Sequence, residues 1–213
     1  MTSFKKKAFV LTAVFISFFV YLSSWTILAK VVSDKLILCT GAFICSVFVL
    51  MIMIKKLPDE VKEEVVTEGE ITSAVHESKS SLFCKTSLSV IIMLAVNFSV
   101  SFIFGDTSVP DKENILLRSV TGIFIVPAME EYLFRHGYLR ALTKGNISKY
   151  ISVILQAALF ASLHTGTGIA VAFICGTVLG ILYVKTSEKH AFFAVYVSHA
   201  IYNCVLYLTL ALT

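Results

Sequence analysis

Long apolar runs separated by short polar stretches set the pattern of this 213-residue chain. A helix that crosses a bilayer needs about 20 apolar residues. Seven segments approach that length, roughly 8–29, 36–54, 87–105, 119–140, 150–165, 168–185 and 190–212. The first follows Lys5, Lys6 and Lys7 like the start of a signal peptide. Its apolar run is too long for one and no small-residue cleavage site closes it, so it reads as an anchor. The fifth and sixth are short and joined by Thr165-Gly166-Thr167-Gly168, which predicts a tight turn or a dip just inside the interface. The expected fold is all-α, a polytopic transmembrane bundle of about seven helices.

Composition supports the pattern. The chain is 57% hydrophobic and 15% charged, with a mean hydropathy of +0.84, more apolar surface than a soluble domain of this size can bury. The five cysteines (Cys39, Cys45, Cys84, Cys175 and Cys204) are odd in number, form no CxxC pair and mostly lie within apolar runs. They read as small core side chains rather than disulfides or metal ligands.

Charge then orients the bundle. With the N-terminus cytoplasmic, thirteen lysines and arginines fall on the inner side and four (Lys30, Lys35, Lys112 and Arg118) outside, with Arg135 left in the membrane. The net charge of +4 therefore reflects topology, and no soluble basic face for nucleic acid is present. The one sizeable polar stretch, 55–85, mixes acids with lysines and predicts a cytoplasmic loop, a solvated linker with at most one short surface helix.

Three apolar segments carry side chains that lipid does not tolerate: Glu130, Glu131 and Arg135; His164; and His199 with Asn203. An ionised group at the bilayer centre costs at least ~2.5–3.5 kcal/mol, so such groups face a bundle interior or a wet cavity. At 1.5 Å per helical residue, Glu130 lies about 15–20 Å, His164 about 21 Å, and His199 and Asn203 about 14 and 20 Å from the cytoplasmic side. Three segments placed by hydropathy alone thus bring polar groups to one level. Glu131 and Arg135 are i,i+4 in the favourable order for an ion pair, and Glu130 points about 100° away. His199 and Asn203, also i,i+4, project together, and Phe160 lies one turn before His164, where it can wall the same pocket. Taken singly each has a bland role: a neutralised pair for Glu131–Arg135, a satisfied core histidine for His164, helix–helix glue for Asn203. Their common depth favours a reaction centre. His136 is expected at its edge, with His76 and His190 in polar segments.

Glu130-Glu131-(YLF)-Arg135, Phe160-(ASL)-His164 and His199-(AIY)-Asn203 resemble the EExxxR, FxxxH and HxxxN motifs of the CPBP family. That family comprises CAAX prenyl endopeptidases and bacteriocin-processing or immunity proteins. The motifs occur in order, one per segment, and the resemblance covers about 118–207. It divides the chain into three N-terminal helices with their cytoplasmic loop (1–117) and a CPBP-like catalytic helix core (118–213).

The resemblance implies an intramembrane endopeptidase acting on a membrane-associated peptide or protein. Glu130 would be the general base, His164 would help hold and polarise water, and His199 and Asn203 would stabilise the tetrahedral intermediate. Glu131 and Arg135 are assigned to holding their helix in register. Zinc stays open: Glu130, His164 and His199 supply one carboxylate and two imidazoles, but no HExxH is present and the same groups can act without metal. The rivals are a non-catalytic immunity, scaffold or regulatory protein, and a proton-coupled carrier, for which paired repeats are missing. Partners are membrane lipid and the substrate, and the expected location is a bacterial plasma membrane.

Overall fold

The computed structural model describes residues 3–32, 35–55, 78–105 and 119–212. Among these residues there are seven helices and no strand. They are α1 (Ser3–Leu28), α2 (Lys35–Lys55), α3 (Lys79–Phe104), α4 (121–144), α5 (Lys149–Ala161), α6 (Gly168–Lys185) and α7 (Glu188–Leu212). The all-helical bundle expected from hydropathy is the observed one. Helices α1, α3, α6 and α7 are long and apolar enough to cross a membrane, while α5 and the apolar part of α2 are shorter. Large apolar side chains such as Phe19, Phe48, Ile91 and Phe102 face outward, as they do when the solvent is lipid. The chain is a multi-pass membrane protein.

Three boundaries differ from expectation, each for a local reason. Helix α1 begins at Ser3, so Lys5, Lys6 and Lys7 form its first turns instead of preceding it. Helix α3 begins at Lys79 rather than 87 because Ser78 caps it, its hydroxyl accepting from Ser81 N at 3.1 Å. Residues 79–85 therefore belong to a helix, and the remainder of the expected loop at 56–77 lies outside the described residues. Helix α5 stops at Ala161, so His164 sits on the turn beyond it. There Leu163 N and His164 N bond to Phe160 O and Ala161 O at 3.2 and 3.0 Å, and Gly166 takes φ +57°. Thirteen residues make α5 only about 20 Å long, which leaves its tip inside a hydrocarbon core of about 30 Å.

Helix α4 is not the regular helix the sequence predicts. Two π-helical stretches, Thr121–Ile125 and Tyr132–Leu139, flank the α-helical Val126–Glu131. Pro127, which has no N–H to offer, lies in the first turn of that middle piece. One side of α4 (Leu133, Phe134, Tyr138 and Leu142) packs with α1, α2 and α5. Leu139 packs with α3, α6 and α7 on the other.

The register between α4 and α7 positions the site. The two run antiparallel and touch at four levels: Gly122 with Asn203, Glu130 and Glu131 with His199, Tyr132 and His136 with Phe192, Arg140 and Lys144 with Glu188. On α7, Phe192, Tyr196, His199 and Asn203 fall at intervals of four, three and four residues, one continuous stripe of a 3.6-residue helix. Helices α3 and α7 flank α6, and Tyr202 ties α7 to α3 by donating to Asn97 Oδ1 at 3.2 Å.

Candidate intramembrane active site

Glu131, Arg135 and His199 form the centre of the site. Glu131 and Arg135 have no solvent exposure, and His199 is buried. Arg135 Nη1 lies 3.1 Å from Glu131 Oε1, one helical turn away. The same carboxylate oxygen is 2.8 Å from His199 Nδ1. An ionised carboxylate only accepts, so Nδ1 carries a hydrogen and Nε2 is the nitrogen turned toward substrate space. Glu130 Oε2 lies 3.8 Å from that Nε2, and its side chain keeps 21% exposure where Glu131 has none. Adjacent glutamates thus address opposite nitrogens of one imidazole, one sealed in the core and one open.

Phe160 organises the other wall. The Arg135 guanidinium carbon stands 4.7 Å over its ring, and the rings of His164 and His199 meet it edge-on at 5.0 and 6.3 Å. A cation held over an aromatic face inside a membrane gains more than in water. His164 Nδ1 is 3.2 Å from Phe160 O, a contact in which Nδ1–H donates and Nε2 keeps its lone pair. Asn203 Nδ2 donates to Gly122 O at 2.8 Å, which uses one of its two amide hydrogens. The approach depends on Gly122, because a Cβ there would overlap the Tyr207 ring.

The structure therefore gathers Glu130, Glu131, Arg135, Phe160, His164 and His199. Asn203 is tied one level away, to Gly122, rather than meeting the glutamates beside His199. His136 does not edge this cluster. Its contacts are Arg140 Nη1 at 3.2 Å, the Tyr183 hydroxyl at 3.4 Å and the rings of Tyr132 and Phe192. Arg140, Lys144 and Glu188 form an ion cluster at that end of the bundle. Among the described residues, no group of three or more His, Cys, Asp or Glu side chains is placed to hold a metal ion. His199 has Glu131 on one nitrogen and Glu130 across the other.

The sequence pattern marks Glu131 only for helix register and leaves two supports of Phe160 unmarked. Gln156, one turn before it and fully buried, donates to Gly176 O at 2.9 Å on α6. Gly176 gives Phe160 its room: a Cβ there would stand 3.2 Å from Phe160 Cδ1. Both signals were present, a lone Gln in an apolar run and a small-xxx-small spacing at Gly176 and Gly180.

A multi-pass helical bundle with carboxylates and imidazoles joined at membrane depth defines the class of protein. Residues 112–205 match the model of a family described as type II CAAX prenyl endopeptidase Rce1-like, which is the CAAX-protease family that the three motifs resemble. Comparison with curated proteins and with solved structures gave no match.

Proposed function

We propose that the chain is an intramembrane endopeptidase that hydrolyses a peptide bond of a membrane-associated substrate, with Glu130 as general base. One observation supports this most: His199 is shared by two adjacent carboxylates of unequal exposure, Glu131 at 2.8 Å and Glu130 at 3.8 Å, within the family segment. The buried one orients; the accessible one is placed to take a proton.

In this reading a water is held between the Glu130 carboxylate and the Nε2 lone pair of His164, both acceptors. Glu130 takes one proton as the water oxygen adds to the scissile carbonyl carbon. The carbonyl π pair moves onto oxygen, and a donor must meet the new charge. His199 supplies it from Nε2–H when its ring is doubly protonated, with Glu131 balancing the imidazolium from Nδ1. The remaining Asn203 N–H is the second donor. Glu130 then returns its proton to the leaving amine as the C–N bond breaks. Glu131–Arg135 holds His199 in place, and Phe160 separates the pair from the His164 side.

Placement supports a substrate class. A site at the tip of a 20 Å hairpin is reached by a chain already in or on the membrane, such as a lipidated tail, a leader peptide or a transmembrane segment. A bacterial plasma membrane is the proposed location. Purified protein is to be incubated in detergent with a peptide library, wild type beside Glu130→Ala, each with and without chelator. Cleavage that vanishes in the variant and survives chelation is the expected result, and loss on chelation instead adds a metal to the site. A well-folded wild type that cleaves nothing, with a cellular phenotype that persists in Glu130→Ala, identifies an immunity or scaffold protein.

A further inference from the structure

The α1–α2 hairpin lies outside the matched segment, yet it grips the helix that carries both glutamates. Ser17 and Ser46 are fully buried and bond reciprocally: Ser17 Oγ donates to Ser46 O at 2.8 Å, and Ser46 Oγ donates to Ser17 O at 2.9 Å. Each hydroxyl has a single proton. The two serine oxygens also stand 2.8 Å from each other, so their protons are shared among close acceptors. The Tyr138 hydroxyl, 2.9 Å from Ser46 Oγ and 3.3 Å from Ser17 Oγ, joins this pair and ties α4 to the hairpin.

Tyr138 stands in the π-helical stretch Tyr132–Leu139, three residues after Arg135. Long π-helical stretches are rare and are held by what packs against them. From Tyr138 a chain of edge-on rings leads to the site. Tyr138 meets Phe134 at 5.4 Å and 87°, and Phe134 meets Phe160 at 5.3 Å and 73°. Phe160 in turn touches both imidazoles and the Arg135 guanidinium. Edge-on contacts fix the rotation of each ring as well as its distance. Tyr138, Phe134 and Phe160 are all buried, so none can turn without displacing the next.

We propose that Tyr138 is a positioning residue: its hydrogen bond to the Ser17–Ser46 pair sets the π-helical stretch and, through Phe134 and Phe160, the orientation of His199 and His164. A hairpin outside the family segment is thereby part of the device that aligns the site. Only the kinetic consequence rests on the peptidase reading.

The test uses the full chain in micelles with ¹⁵N-labelled histidine, as wild type, Tyr138→Phe, Ser46→Ala and the double variant. The hydrogen-bonded Nδ1–H resonance of His199 is expected to shift in each single variant. The double variant should shift by less than the sum of the two, because both changes remove the Tyr138–Ser46 bond. The kcat for a library-selected peptide should fall roughly tenfold in Tyr138→Phe with KM unchanged, a typical response to a misaligned site. Tyr150→Phe, at an exposed tyrosine, should move neither. Should Tyr138→Phe fail to fold, Ser17→Ala takes its place. An unmoved His199 resonance in folded variants, or shifts that simply add, overturns the proposal. Resonances that respond in a protein that cleaves nothing leave the positioning role standing and remove the peptidase reading instead.

Discussion

The Glu131 carboxylate accepts the Nδ1 hydrogen of His199 at 2.8 Å, joining residues 68 apart in the chain. The pairing fixes which imidazole nitrogen faces the substrate, and Arg135 Nη1 stands 3.1 Å from the same buried carboxylate oxygen. Glu131→Gln retains size but removes the charge that orients the ring. Its kcat is expected to fall about 10²–10⁴-fold, the range for losing the group that orients a catalytic histidine, with the fold intact by circular dichroism. A rate within threefold of wild type removes the orienting role.

Arg135 tests the energetics of the same contact. Arg135→Ala strands a buried carboxylate and should lower unfolding free energy by about 3–5 kcal/mol. Replacing both partners, Glu131→Leu with Arg135→Met, removes the stranded charge and should recover part of that stability, with His199 Nδ1–H left unpaired, without recovering cleavage. Unfolding in micelles measures the first quantity and peptide turnover the second. If the double replacement is no more stable than Arg135→Ala, the stranded carboxylate is not the source of the loss.

Most of the fold was legible in the sequence because lipid demands apolar helices: each of the seven runs became a helix, and four of these are long and apolar enough to cross a membrane. The ends were less legible. Ser78 caps α3 nine residues before its apolar run, and a Gly-rich turn ends α5 before His164. The i,i+4 spacing foretold the Glu131–Arg135 contact, since both residues share a helix. The Glu131–His199 contact depends on how α7 lies against α4, which no single-helix periodicity encodes. The π-helical stretches of α4 were equally hidden, because their turns depend on packing by other helices.

The close approach of α5 to α6 predicts two graded losses. A Cβ at Gly180 would meet Gln156 Nε2 at 2.7 Å and Val153 Cγ1 at 3.0 Å, and one at Gly176 would press on Phe160. Each alanine substitution should cost about 1–3 kcal/mol by overpacking. Gly176→Ala should in addition slow turnover, because Phe160 touches Arg135 and both imidazoles. Phe160→Leu added to Gly176→Ala should restore stability. Equal turnover by Gly176→Ala and wild type contradicts the role given to Phe160.

Asn203 predicts a ranking. Asn203→Ala leaves Gly122 O without its donor at a cost of about 1–3 kcal/mol. Asn203→Asp, when ionised, sets an acceptor against that acceptor and should be the less stable variant. Melting temperatures in one detergent decide the order, and an Asp variant as stable as wild type excludes the Gly122 contact.

The central claim is that Glu130 takes the proton of the attacking water. Single-turnover cleavage of a library-selected peptide by Glu130→Gln, beside wild type and with matched melting temperatures, tests it most directly. Removing the general base should slow the chemical step about 10²–10⁴-fold with peptide binding unchanged. Cleavage that stays close to the wild-type rate would show that another group activates the water.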